Sequence, residues 1–158
     1  MTRKKHWRSR EKVIVMNEAV IAQEGNPKNL YNHPNTSFVA NFIGDANIVE
    51  ATIEKKTGQV YDIDFGGVKK TIPSEFERTD KISLALRPEI IEINQTKLKN
   101  TIPAKVENVS FVGSQYQYSV STILGNMYVV SNETNVHHNL NDEVHLSFKD
   151  DGISILSD

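Results

Sequence analysis

The chain has no cysteine among its 158 residues. Disulfides and thiolate-held metals are therefore excluded, and the composition fits a reducing compartment. No apolar run approaches the length needed to cross a bilayer, so no transmembrane helix is expected. The basic start from Met1 to Arg10 is not followed by an apolar core segment, so no secretory signal is expected either. The single tryptophan, Trp7, falls in that start and takes no role.

What is present is ordinary for a soluble globular protein: 38% hydrophobic and 24% charged residues. The length suits one domain, or a small domain with an appendage. The formal net charge of -2 hides an asymmetry. Arg3, Lys4, Lys5, Arg8 and Arg10 crowd the first residues, which leaves the remainder distinctly acidic. An acidic body disfavours a nucleic-acid surface. The basic start reads as a disordered tail rather than a nucleic-acid or lipid contact.

The stretch from Val13 to Asn47 has its own pattern. Val13 to Met16 is an apolar run of strand length, Asn17-Glu18-Ala19 a turn, and Val20 to Ala22 the returning strand. Gly25-Asn26-Pro27 is a breaker and a helix start, with Asn26 as cap and Pro27 at the first helical position. Leu30 and Tyr31 are the apolar residues of that short helix, and Pro34 ends it. Asn35 or Thr36 caps a second helix. Its residues Phe38, Val39, Phe42 and Ile43 fall on one apolar face, and Gly44 stops it.

From Ile48 onward the period changes to two. Strands are expected at Ile48 to Glu54, Val60 to Phe65, Val68 to Ile72, Lys81 to Arg87 and Ile90 to Ile93. After a polar stretch they resume at Ile102 to Val112, Gln117 to Thr122, Met127 to Ser131, Glu143 to Phe148 and Ile153 to Leu156. Gly66-Gly67, Gly113-Ser114, Leu124-Gly125-Asn126 and Asp150-Asp151-Gly152 mark turns. Many short strands at regular spacing imply a mainly β fold, and edge protection favours a small OB-like barrel.

Three ordered motifs carry a resemblance: MN-x-x-x-I-x-Q-x-G-x-P, then L-Y-x-x-P, then F-V-A-x-F-I-G-x-x-N. Further on, Leu86-Arg87-Pro88-Glu89 and the run Val109 to Tyr116 extend it. In this order they resemble the C-terminal part of ATP-binding subunits of ABC importers of the polyamine, ferric iron, phosphonate or sugar type. That part carries the transport-associated OB domain, TOBE. The resemblance implies a β-ribbon and two short helices from the end of the ATPase domain at 13–47. It implies a TOBE accessory domain at 48–158, with OB-like units built from interleaved segments. Residues 1–12 are then a disordered or out-of-frame N-terminus. One choice of codons for Met1 to Arg10, read a frame over, gives His-Asp-Gln-Glu-Glu-Ala-Leu-Ala-Leu-Ser, which resembles the family's switch region. The chain would then be a remnant of a frameshifted ATPase gene. The family usually has Gly where Ala19 stands in the ribbon turn; Gly tolerates positive φ there and Ala is strained.

The chemistry of an ATPase is absent from the sequence. There is no G-x-x-x-x-G-K-[ST] loop to cradle phosphates, no LSGGQ-type signature, and no apolar run ending in Asp-Glu. No enzyme activity, catalytic residue, cofactor or metal ligand is expected in this chain; ATP and magnesium belong to the implied parent. His137 and His138, with His145, lack ligand spacing and read as a solvated loop. Arg87 suits an anionic ligand, another domain, or an ion pair ending its strand. Tyr116, Tyr118 and Tyr128 read as core and cross-strand packing rather than a base-stacking face. The implied function is an accessory and regulatory module that supports dimerisation. Phe38, Phe42, Ile43, Arg87 and Glu89 are the expected interdomain or dimer contacts. Expected partners are an ATPase core or second ATPase subunit, permease subunits indirectly, and a second copy, with no nucleic acid. The place is cytoplasmic, at the inner face of the plasma membrane. The alternative is a free-standing oxyanion-binding protein built from the same β unit. Such proteins carry an S-A-R-N pattern near the first strand, which this chain lacks.

Overall fold

The structure, a computed structural model, describes residues 11–158. The disordered or out-of-frame reading of Met1 to Arg10 concerns residues outside that range.

A ribbon of β1 (Val13–Asn17) and β2 (Val20–Gly25) opens the described chain. Its turn residues Glu18 and Ala19 stand at φ 49° and 64°. Two successive positive φ values suit the twist of a two-residue hairpin. Ala19 therefore occupies the left-handed conformation that its Cβ disfavours.

Helix α1 (Pro27–Asn32) starts with Asn26 accepting the Asn29 N–H at 2.8 Å. Helix α2 (Ser37–Ile43) starts with Thr36 accepting the Val39 N–H at 3.3 Å. Both caps satisfy donors that a first helical turn leaves without partners. Leu30 and Val39 pack with Val15 of β1 into a small, fully buried core.

Ten further strands form two sheets of five. The first half contributes β3 (Asn47–Thr57), β4 (Val60–Phe65), β5 (Val68–Pro73), β6 (Lys81–Leu86) and, after a 3-10 turn at Pro88–Ile90, β7 (Ile91–Asn94). The second contributes β8 (Ile102–Phe111), β9 (Tyr116–Thr122), β10 (Gly125–Ser131), β11 (Glu143–Phe148) and β12 (Ile153–Ile155). Strand orders are β12-β6-β3-β4-β5 and β7-β11-β8-β9-β10. The sheets curl as half-barrels of OB-like form.

The two orders are the same topology written twice. In each half a meander of three strands takes a fourth beside its first strand. Each half then gives its fifth strand to the other: β7 pairs with β11, and β12 with β6. The register repeats as well, since a bulge lies between Ile53 and Lys55 of β3 and another between Val106 and Asn108 of β8. Bulges bend a strand and increase its twist, so both halves curl at the same place. The crossings repeat too: Arg87 N–H donates to Gly152 O at 3.2 Å, and Lys149 N–H to Ile90 O at 3.0 Å. Alternating apolar residues from both sheets meet in one core, where Phe65 and Phe148 pack edge to face at 5.1 Å.

Several strand boundaries differ from the pattern in the sequence: β3 runs on through the expected turn to Thr57, and Ile90 belongs to the 3-10 turn instead of β7. The expected turn Leu124-Gly125-Asn126 is tighter: β9 ends at Thr122 and β10 already starts at Gly125. Arg87 lies outside β6, because Pro88 opens the 3-10 turn and Arg87 leads into it.

Candidate functional site

The chemistry-bearing side chains converge where the two helices meet the β body. Neither helix has a basic residue in its last turn. Their last carbonyls are met by Arg87, reaching across from the end of β6. Its Nε and Nη2 donate to Tyr31 O at 3.0 and 2.8 Å. Its Nη1 donates to Ala40 O at 2.8 Å, Gly44 O at 3.2 Å and Asp45 O at 2.9 Å. One guanidinium thus satisfies the C-terminal ends of two helices, where carbonyls lack partners and the dipole favours a cation.

Arg87 is only 2% exposed. No carboxylate forms an ion pair with it among the described residues, which corrects the expected strand-end ion pair. Burial lowers its pKa from the ordinary value, while Tyr31, Glu89 and Asp45 favour the charge. Tyr31 supports the fork from one face, with its ring 4.0 Å from the guanidinium carbon. The Tyr31 hydroxyl donates to Glu89 Oε1. Burial, then that bond, raises the Tyr31 pKa.

Gly44 belongs to the same arrangement for a reason other than helix stopping. Its φ is −173°, an extended conformation open to any residue. A Cβ there, however, would lie 2.9 Å from Cε2 of Tyr31. Gly44 is what lets the Tyr31 ring approach the backbone.

A strap from the last strand adds a second set of bonds. Ser154 Oγ donates to Asn32 O at 2.8 Å, and Ser157 N–H to Asn35 O at 2.7 Å. The Asp158 carboxylate accepts the Ser37 N–H at 2.9 Å and the Ser37 hydroxyl at 2.6 Å. An acceptor carboxylate at a helix start is favoured by the dipole.

The other expected contact residues divide. Phe38 and Ile43 are half-buried against the small ribbon–helix core. Phe42 is 42% exposed and stacks on Phe38 at 5.8 Å. Glu89 is exposed and holds Tyr31. Outside this junction, Ile14, Met16 and Ile21 are more than half exposed on the ribbon. Met16 and Ile21 are cross-strand partners and Ile14 is two residues from Met16, so the three share one face.

The histidines require a correction. His138 is buried at 6% exposure, not solvated, and packs edge-on against Tyr118. Its backbone N–H donates to the Tyr118 hydroxyl at 3.3 Å, and its ring Nδ1 has no hydrogen-bond partner. Burial pushes its pKa below the usual value, with Asp142 opposing and His137 reinforcing. His137 is exposed and stacks on Tyr116 at 5.7 Å. His145 lies on β11, in a shallow groove with Lys105, Ser121, Thr122 and Glu143. No group of three or more His, Cys, Asp or Glu side chains is placed to hold a metal among the described residues.

Several residues that matter here went unassigned in the sequence. Tyr31 lies inside a quoted motif, and that membership is the available signal for its role here. Ser154 and Asp158 carried none, because each acts on a helix more than a hundred residues away.

The chain consists of two exchanged β units with a ribbon and two helices clamped on one pole, and residues 84–156 match the TOBE domain family. The chain is related to the TOBE-bearing portion of ABC importer ATP-binding subunits. It is 32% identical over 146 residues to an Fe(3+) ions import ATP-binding protein of Agrobacterium fabrum, covering 92% of this chain and 41% of that one. It is 39% identical over 110 residues to a spermidine/putrescine import ATP-binding protein of Acetivibrio thermocellus, covering 70% of this chain and 30% of that one. The chain thus spans about two fifths or less of the length of these curated relatives. In fold it is similar to a cytoplasmic molybdate-binding protein, ModG, with a TM-score of 0.55 and 12% identity over 68% of this chain and 92% of that one. The matched family segment begins inside β6, so it spans the second unit and the strand crossings.

Proposed function

We propose that the chain is an accessory and regulatory module of an ABC-type importer, supporting dimerisation of ATP-binding subunits without an ATP site of its own. In this reading residues 13–47 are the end of an ATPase domain and 48–158 the accessory domain. Its partners are an ATPase core or second ATPase subunit and, through these, the permease at the cytoplasmic face of the membrane. Phe38, Phe42, Ile43, Arg87 and Glu89 lie at or beside the junction through which the two parts communicate.

The observation that carries the reading is the ribbon. A two-stranded ribbon is marginal by itself, and this one is apolar on both faces. Val15 is buried against the helices while Ile14, Met16 and Ile21 face outward. Such a ribbon suits a position at the border of a larger body. The similarity to importer ATP-binding subunits over 92% of the chain supports the same assignment.

Sedimentation velocity over a range of concentrations tests it. The full chain is expected to self-associate, and the double substitution Ile14→Lys and Met16→Lys to reduce that. A fluorescent ATP analogue with magnesium is expected not to bind. A strict monomer whose residues 13–45 are protected from hydrogen exchange as well as the β body would sink the reading. A thermal shift with molybdate, tungstate or sulfate would turn the assignment to the free-standing oxyanion binder.

A further inference from the structure

The chain has two separate apolar cores. Val15, Leu30 and Val39 close the ribbon–helix layer, and a much larger cluster fills the space between the sheets. Between them, among the described residues, lies a third, smaller cluster of fully buried Ala40, Ala85 and Leu156, with Ala46 beside it. Polar bonds also cross the junction: the Arg87 fork on four carbonyls, and the Ser154, Ser157 and Asp158 bonds of the strap.

This division has a mechanical meaning. Apolar burial is non-directional and tolerates sliding, whereas hydrogen bonds fix position. A layer that owns its core can leave by breaking these bonds and opening the small Ala40–Ala85–Leu156 cluster, without emptying either larger core. Here the covalent link is short, since only Gly44, Asp45 and Ala46 separate α2 from β3.

We propose that Arg87 and the strap 154–158 form a pin that holds the ribbon–helix layer, residues 13–45, in one position on the β body, and that the layer undocks as a unit when the pin is broken. Arg87 is a positioning residue. Its planar fork reaches the ends of both helices at once, with Tyr31 behind it. A lysine keeps the charge but not the fork or the stacking. The strap ties the same helices from the other side, through Asn32, Asn35 and Ser37. The proposal stands on the separation of the cores and does not depend on the importer reading.

Hydrogen exchange of the full chain, resolved by peptide, tests it. In Arg87→Ala, residues 13–45 are expected to exchange about tenfold faster or more, because undocking becomes a local opening. Peptides from β8, β9 and β11 are expected to keep their rates. Arg87→Lys is expected to act in the same segment, since charge alone does not restore the fork. The strap pair Ser154→Ala with Asp158→Ala is expected to give a smaller acceleration, again confined to 13–45. It keeps the test open should Arg87→Ala fail to fold. Faster exchange spread evenly over the β body would overturn the proposal by making Arg87 a general core residue. Unchanged exchange at 13–45 in the folded variants would overturn it as well.

Discussion

Asn47 pairs with Tyr128 as a neighbouring strand residue would. Its Nδ2 donates to Tyr128 O at 2.8 Å, and its Oδ1 accepts the Tyr128 N–H at 2.7 Å. The amide thereby covers the free edge of β10. The other half repeats the device, with Asn100 accepting the Lys69 N–H at 2.7 Å and donating to Lys69 O at 2.9 Å on the edge of β5. In each half, an asparagine at the start of the meander caps the third strand of the other half. Edge protection comes in part from these amides as well as from curling.

The two asparagines are expected to differ in weight. Asn47 is 8% exposed, so Asn47→Ala leaves a shielded N–H and C=O without partners, at a cost of about 2 kcal/mol. Asn100 is exposed and stands at φ 60°, so Asn100→Gly, which keeps that conformation open, removes the amide alone; water replaces it, at about 0.5 kcal/mol. Urea unfolding of both variants measures the difference. Equal losses would refute the edge-cap account.

Gly152 stands at φ +96°, and an added Cβ would lie 2.5 Å from Ile90 Cγ2. Gly152→Ala therefore combines backbone strain with a clash at the strand crossing and is expected to cost about 3 kcal/mol. Gly67, at φ +92° with nothing within 4 Å, isolates the strain alone. Gly67→Ala is expected to cost about 1 kcal/mol. Matching thermal midpoints for the two variants would contradict the role of Ile90.

Ala19 holds a left-handed conformation in the ribbon turn. Ala19→Gly removes that strain but frees the unfolded chain, so a net gain of about 0.5 kcal/mol is expected. Slower hydrogen exchange in β1 and β2 is the readout. A faster rate in the glycine variant would count against the strain.

His138 makes stability pH-dependent with a definite sign. Its folded pKa lies below its ordinary value of 6.5 because burial disfavours the imidazolium. The unfolded chain therefore binds the proton more readily. The contribution is fully present above about pH 6.5 and is lost as pH falls below it. Wild type is expected to lose more thermal stability than His138→Gln between pH 7.5 and pH 5.5. Parallel losses would place the pH dependence elsewhere.

The separate elements were legible because each rests on local chemistry. Asn26 caps its helix as expected, and of the two candidates Asn35 and Thr36 it is Thr36 that caps the second, since a cap needs only a short polar side chain before a helical run. The strands fall close to the alternating runs, since alternation states which side of a strand is buried. His138 was misread because a polar residue in a polar loop has no local signal of burial. What buries it is Tyr118, twenty residues away.

The sequence by itself determined a mainly β chain, its ribbon, its two short capped helices and its family resemblance. These follow from periodicity, caps and motifs, all written within a few residues. The resemblance implied interleaved units, but only the tertiary structure decided that it is each half's last strand that passes to the other, that two asparagines stand in for strand neighbours, and that Arg87 serves helix ends instead of a carboxylate. Side-chain alternation specifies a face and not a partner. A buried arginine needs acceptors, and nothing local states whether these are carboxylates or the carbonyls of a segment some forty to sixty residues away.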